Sequence, residues 1–175
     1  PFPHAVILHY IDDELAADAG IDLEIVEFTD YVQPNVALSE GEIDANYFQH
    51  VPYFDAEVAE KGYEFEHSVG IHIEPYGVYS ETVTSLDELA DGATVSVPND
   101  PSNQARALEL LEANGLFTLD ASVEDPTIYD VAENPKNIQL TVLDAAQLAI
   151  TLQDVDAAVI NGNFALDAGL VPSED

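Results

Sequence analysis

Residues 93–115 constrain the fold more than any other stretch of the chain. ATVSVP (93–98) is a short apolar run, and NDPSNQARALELLEANG follows it directly. Asp100 is placed to cap a helix, Pro101 stands just inside its start, and Gly115 just past its end. Leu108 and Leu111 fall on one face of that helix. The pattern recurs further on. NIQLTVL (137–143) predicts a strand, DAAQLAITLQD a helix with Leu148 and Leu152 four apart, DAAVIN (156–161) a strand, and NFALDAG a helical turn. Strands alternating with helices predict an α/β fold with a largely parallel sheet.

The earlier half is less regular. Ile21, Leu23 and Ile25 alternate, so 21–29 predicts a strand. Asp30 and Pro34 mark a turn or helix start. NVALSEGEIDANYF predicts a short helix, a break at Gly41 and a second short strand near 43–47. Residues 52–61 predict a helix with Pro52 at its first position and Gly62 after its end. Ile71 and Ile73 suggest another strand, and LDELADG (86–92) a short helix closed by Gly92. No repeat and no low-complexity linker interrupts the 175 residues.

Charge excludes several function classes. There are 35 Asp and Glu against 3 Lys and Arg, a formal net charge of −32. A protein that neutralises phosphates needs clustered cations, so nucleic acid is excluded as a partner. An anionic membrane surface would repel this chain as well. Hydrophobic residues make up 47%, enough for a packed core and too many for an acidic disordered tail. No apolar run reaches the roughly 18 residues needed to span a bilayer, and the first residues do not read as a signal peptide. Without cysteine there is no disulfide, thiolate metal site or cysteine nucleophile. The acids are spread evenly, which reads as solvated surface; no D-x-[DN]-x-[DN]-G loop occurs. Such self-repulsion destabilises a fold at low ionic strength, and salt relieves it. A salty medium outside the cytoplasm and a chain biased toward solubility are both compatible with this.

The usual signatures of catalysis are absent: no G-x-S-x-G, H-E-x-x-H, P-loop or G-x-G-x-x-G. His67 and His72 are five apart, which suits neither face of a helix. With 35 carboxylates some acid pair is always available, which makes a glycosidase reading weak. No catalytic residue, metal site or cofactor is therefore assigned.

Three constellations remain. Tyr31, Tyr47, Phe48, His50, Tyr53 and Phe54 form an aromatic cluster. Rings beside a histidine suit the wall of a pocket for an apolar or thioether side chain. Tyr47 and Phe54 read better as core, whereas Tyr31, His50 and Tyr53 lie beside turn residues. Arg106, the only arginine, falls in the second turn after Pro101, where a cation opposes the helix dipole. A bound carboxylate would satisfy both the guanidinium and the free N–H groups there, and a salt bridge to one of the many acids is the plainer alternative. Asn161 ends an apolar strand at the carboxyl edge of the sheet, where open α/β folds bind ligands. Its amide suits an amino-acid backbone, although INGN (160–163) also reads as a simple turn.

These residues stand in stretches that resemble one family closely. EFTDYVQPNVALSEGEIDANYFQHVPY, SLDELADGATVSVPNDPSNQARALELLE, ENPKN and DVDAAVINGNFAL are similar to the methionine-binding lipoproteins of the MetQ/NlpA type. The resemblance covers almost the whole chain. It implies a two-lobed, type II periplasmic-binding-protein-like clamp that captures methionine and delivers it to the permease of an ABC importer. Residues 1–80 would form a first α/β lobe, 81–165 a second, and 166–175 the start of a return toward the first. Tyr31 of TDYVQPN and Phe48, His50 and Tyr53 of YFQHVPY would surround the thioether side chain. Arg106 would clamp the carboxylate and Asn161 the amino-acid backbone, with Asn103 a weaker candidate beside them. The implied location is extracytoplasmic, periplasmic or lipid-anchored at the cell membrane.

The chain departs from the pattern in places. The family has a lipid-bearing cysteine and a first strand ahead of P-x-P-H, and continues past INGN-x-AL-x-AGL; relative to it, the first lobe would lack its opening strand and its C-terminal return segment. Tyr76 stands where Met or Ile is usual after the EP turn, and most of the family's lysines are replaced by acids or threonine. A non-enzymatic binding protein is the leading reading. A truncated, non-transporting homologue serving as a structural or interaction module is the alternative, and a carboxylate hydrolase is the third.

Overall fold

The computed structural model describes residues 2–172. They fall into two compact units, one running to His50 and the other starting at Val51. Of the segment 166–175, the last three residues lie outside the described residues.

The first unit is built of helices and extended chain. Helix α1 (His4–Ile11) runs on into a π-helical turn, Asp12–Ala16. Helix α2 (Gln33–Glu40) is set up by local chemistry. Asp30 Oδ1 accepts the backbone N–H groups of Val32 (2.7 Å) and Gln33 (2.8 Å), and Pro34 occupies the first turn. Gly41, at φ 73°, lets the chain leave the helix through a left-handed turn. The strands expected over 21–29 and near 43–47 do not form, and neither does one at Ile71 and Ile73. Period-two alternation gives a segment one apolar edge, but a strand also needs a neighbour's N–H and C=O groups. Among the described residues no ladder partner lies beside these segments, and Ile73 is 96% exposed.

The second unit contains the sheet. Helix α3 (Val51–Lys61) starts one residue before the expected Pro52 and is followed, as expected, by Gly62 at φ 71°. Strands β1 (Tyr76–Tyr79), β2 (Thr94–Pro98), β5 (Gln139–Leu143) and β6 (Ala157–Asn161) form one sheet in the order β1-β6-β2-β5. β2 runs parallel to both β5 and β6, and β1 is an antiparallel edge. A separate two-stranded ribbon pairs β3 (Thr118–Leu119) with β4 (Val131–Glu133).

Helix α4 (Pro101–Ala113) follows β2, α5 (Ala145–Leu148) follows β5, and α6 (Gly162–Asp167) follows β6. The step from β2 to β5 and the step from β5 to β6 cross the sheet in opposite directions. Right-handed crossovers then put α4 and α5 on opposite faces. Burial agrees with this. Val95, Val97, Ala157 and Val159 pack with Ala107, Leu108 and Leu111 of α4 in the main core. The alternate residues Ser96, Ala158 and Ile160 are buried too.

Helix α4 meets every local expectation. Asp100 caps it by accepting the Asn103 N–H at 3.0 Å. At the other end Gly115, at φ 78°, allows the Leu116 N–H to reach back to Leu111 O at 3.1 Å. The helix expected over 144–154 is shorter, breaking after α5 and resuming as a 3₁₀ turn at Leu152–Asp154. The Thr151 hydroxyl there bonds the Gln147 carbonyl at 2.9 Å, and β-branched Ile150 and Thr151 lower helix propensity. Leu148 and Leu152 are both buried nonetheless.

The helix expected over 86–92 shrinks to a 3₁₀ turn, Leu86–Glu88. Lys136 competes for its carbonyls: the ammonium donates to those of Leu86 (3.5 Å) and Asp87 (2.6 Å), which an α-helix over 86–92 would pair internally, and to that of Leu89 (3.1 Å). Asn137, at φ 49°, reaches Asp91 Oδ1 at 2.8 Å, and the Gly92 N–H donates to Lys136 O at 2.7 Å. ENPKN is thus a clip on the loop before β2. Hydrogen bonds to a charged donor are worth roughly 1.5–3 kcal/mol, so Lys136→Met should cost about 2 kcal/mol. In a chain of this size that lowers the melting temperature by about 4–8 °C. Thermal unfolding followed by circular dichroism checks this; an unchanged midpoint would mean that the clip contributes nothing.

Candidate functional site

The sheet register assembles a polar group at the carboxyl ends of β2 and β6. β2 ends at Pro98 and leads through Asp100 into α4. β6 ends at Asn161, which lies directly opposite Tyr76, the first residue of β1. Gly162 permits this closeness: a Cβ there would lie 2.5 Å from Pro75 O. Asn103, Arg106, Asn161 and Tyr76 are brought together in this way.

The orientation of each amide follows from two charged neighbours, the Asp100 carboxylate and the Arg106 guanidinium. Ionised Asp100 can only accept. The Asn103 side-chain Nδ2 therefore faces it, donating to Oδ1 at 3.0 Å and Oδ2 at 3.1 Å. Asn103 Oδ1 then points the other way and accepts from Arg106 Nη1 at 3.0 Å and from Asn161 Nδ2 at 3.1 Å. With its Nδ2 committed, Asn161 presents Oδ1. That oxygen is buried and has no hydrogen-bond partner among the described residues. Leaving such an acceptor unmet costs roughly 1–3 kcal/mol, so it is a place where a donor is missing.

Arg106 lies in the second turn of α4 with its Cζ 4.6 Å from the centroid of the Tyr76 ring. The Tyr76 hydroxyl donates to Asn103 O at 2.9 Å. Burial pushes the Tyr76 phenol above its usual range, with the Arg106 charge pulling the other way. It therefore remains a neutral donor. The group thus offers a guanidinium and an orphan carbonyl oxygen, both anchored on the same atom, Asn103 Oδ1. One side suits an anion and the other a cation or N–H donor.

The aromatic candidates fall elsewhere along the chain. In the first unit the rings of Tyr31 and Phe48 lie 6.0 Å apart, tilted by 39°. The same unit holds an amide cluster around one buried asparagine. Asn35 is fully buried; its Nδ2 donates to Gln49 Oε1 at 3.1 Å, and its Oδ1 accepts from Asn46 Nδ2 and Gln49 Nε2, both at 2.9 Å. Asp30 holds the turn that follows Tyr31 through its bonds to the Val32 and Gln33 N–H groups. His50 is half-buried. Tyr53, on α3 in the second unit, is the most buried of the six aromatic-cluster residues at 5% exposure. Tyr47 and Phe54, expected in the core, are half-buried; Phe54 meets His67 edge-on at 5.0 Å.

Three contributors were not assigned to the site from the residues: Asp100, seen only as a helix cap, Tyr76, noted only as a departure, and the Asn35–Asn46–Gln49 cluster. The amides of Q-P-N and N-x-x-Q carried a usable signal, since polar residues interleaved with aromatics must be satisfied when buried.

Known proteins share this fold. The NlpA lipoprotein family profile matches residues 1–175. Over 159 residues the chain is 47% identical to the D-methionine-binding lipoprotein MetQ of Escherichia coli K12, covering 89% of this chain and 59% of that relative. It is 46% identical over 161 residues to outer membrane lipoprotein 2 of Mannheimia haemolytica, covering 89% and 57%. The fold superposes on a nutrient binding protein of Burkholderia cenocepacia bound to methionine with a TM-score of 0.95, at 45% identity, over 99% of this chain and 73% of that one. The chain spans less than three fifths of the length of these two curated relatives. Its fold is the mixed α/β fold of the methionine-binding proteins, and it belongs to the NlpA lipoprotein family.

Proposed function

We propose that the chain binds methionine outside the cytoplasm and hands it to the permease of an ABC importer, with no catalytic step of its own. The observation that carries this reading is the pairing of the Arg106 guanidinium with the unmet Asn161 Oδ1 across Asn103. A zwitterionic amino acid presents a carboxylate to the first and an ammonium to the second. Tyr31, Phe48, His50 and Tyr53 supply the walls for the thioether, since sulfur interacts favourably with ring edges. The identity to relatives named for D-methionine binding, and the likeness to a structure bound to methionine, support the choice of ligand. The lobes are proposed as 1–80 and 81–165, with 166–175 turning back toward the first. No helix among the described residues is long and apolar enough to cross a membrane. Attachment to the membrane is proposed through a lipid anchor, as in the relatives named lipoproteins.

A ligand that binds only the native state adds RT ln(1 + [L]/Kd), roughly 2.7 kcal/mol at a hundredfold excess over Kd. L- or D-methionine should raise the melting temperature by about 5–10 °C at that excess. Glutamate should leave it unmoved, because its second carboxylate enters a chain of net charge −32. A midpoint unmoved by either methionine enantiomer would overturn the reading.

A further inference from the structure

We infer that Tyr76 is a positioning residue for Arg106, its ring a floor that holds the guanidinium in place before any ligand arrives. Three observations converge. The register of β1 against β6 places Tyr76 opposite Asn161, so its ring rises at the polar group itself. The Arg106 Cζ lies 4.6 Å from the ring centroid, within the range of a cation–π contact. The phenol hydroxyl is tied to Asn103 O at 2.9 Å, in the first turn of the helix that carries Arg106. Ring and helix are thereby joined through two separate contacts.

The need for such a floor follows from the location of Arg106. A cation near the start of α4 opposes the helix dipole, and a flexible guanidinium has many rotamers. Asn103 Oδ1 accepts from one nitrogen and sets one edge of the fork. The π face restrains the plane of the fork and offsets the dipole. Binding then costs less ordering, because the donor geometry exists beforehand. Methionine and leucine side chains are also apolar but carry no ring quadrupole, so neither would hold the plane.

The single arginine gives this inference its own readout. In protein labelled with ¹⁵N and ¹³C arginine, all arginine side-chain signals come from Arg106. The aromatic ring current should displace its Hδ and Hε resonances upfield of free-arginine values, with cross-relaxation peaks to the Tyr76 ring protons in the wild-type protein. Tyr76→Phe should preserve the displacement, and Tyr76→Leu should abolish it. The affinity arm rests on the methionine reading. Tyr76→Leu should weaken methionine binding about tenfold, the loss of one desolvated cation–π contact, and Tyr76→Phe by less than about threefold. In an Arg106→Ala background the Tyr76→Leu change should add less than about twofold. A purely structural tyrosine would act equally in both backgrounds. Absent cross-peaks in the wild type, or Arg106 resonances unmoved by Tyr76→Leu, overturn the inference. The wild-type spectrum decides even if the leucine variant fails to fold. If the wild type shows the ring contact yet no methionine affinity, the positioning role stands and the ligand reading falls.

Discussion

Arg106→Ala should reduce methionine affinity by about 10²-fold or more while leaving the fold nearly intact. Arg106 is the only guanidinium in the chain, so no other residue can offer a planar fork to a carboxylate. Charge-assisted hydrogen bonds are worth roughly 1.5–3 kcal/mol each, and two of them lost at 1.4 kcal/mol per tenfold give that factor. Arg106→Lys retains charge without the fork and should fall between the two. The consequence for folding is small, because Asn103 Oδ1 keeps the Asn161 amide as donor when the guanidinium is removed, and one lost hydrogen bond costs roughly 0.5–1.5 kcal/mol. If Arg106 served only to brace α4, the pattern would reverse, with a lower melting temperature and unchanged affinity. Calorimetric titration beside a melt of the ligand-free protein separates the two. An affinity held within about threefold, with a falling melt, would remove Arg106 from the binding group.

Raising sodium chloride from 0.05 to 1 M should raise the melting temperature by on the order of 10 °C, as several kcal/mol of self-repulsion is screened. Three cations cannot neutralise 35 carboxylates. Arg106 faces Asn103 and Tyr76, Lys136 is bonded to three carbonyls, and Lys61 pairs with its neighbour Glu60 at 2.7 Å on the exposed end of α3. Many acids instead find backbone donors and hydroxyls. Asp120 is held below the usual carboxylate range by the Ser122 hydroxyl and N–H, Asp130 by those of Thr127, and Glu88 by the N–H and hydroxyl of Thr84. These contacts keep the carboxylates charged and leave their mutual repulsion in place. Melts across a sodium chloride series, with sodium sulfate as a check on salting-out, test this. A flat response would show that the charges are already well separated.

What was legible in the sequence was what local chemistry decides. Asp100, Pro101 and Gly115 bracket α4 because caps and turns are one-residue decisions. β2 and β6 declared themselves as apolar runs because they are the two inner strands and burial sets their pattern, whereas β5, at the sheet edge, was marked by its β-branched and apolar residues although Val142 is 40% exposed. The segment 21–29 shows the limit. Its alternation is real, but pairing is decided by residues distant in sequence, and Val26 ends half exposed. The same limit hid Lys136, whose three acceptors lie some fifty positions upstream. In the candidate site the individual residues Asn103, Arg106 and Asn161 could be singled out because each sits at a helix start or strand end. That they share one oxygen could not, since it depends on the register that sets β6 beside β2.

The Asp100 carboxylate touches neither Arg106 nor Asn161 through any bond described above, yet it helps to decide which way the site faces electrically. Because it can only accept, the Asn103 amide has one allowed sense, and Asn161 inherits that sense. Exchange a single oxygen at position 100 for an NH₂ group and the Asn103 amide loses one of its two restraints. The other is Arg106, which can only donate and so still holds Asn103 Oδ1 toward itself. A turned amide would set N–H against N–H, so carboxylate and guanidinium hold the same sense from opposite sides. Preference for one end of a zwitterion is thus expressed at Asn161 but enforced one amide away, by a pair of opposite charges that share a single side chain.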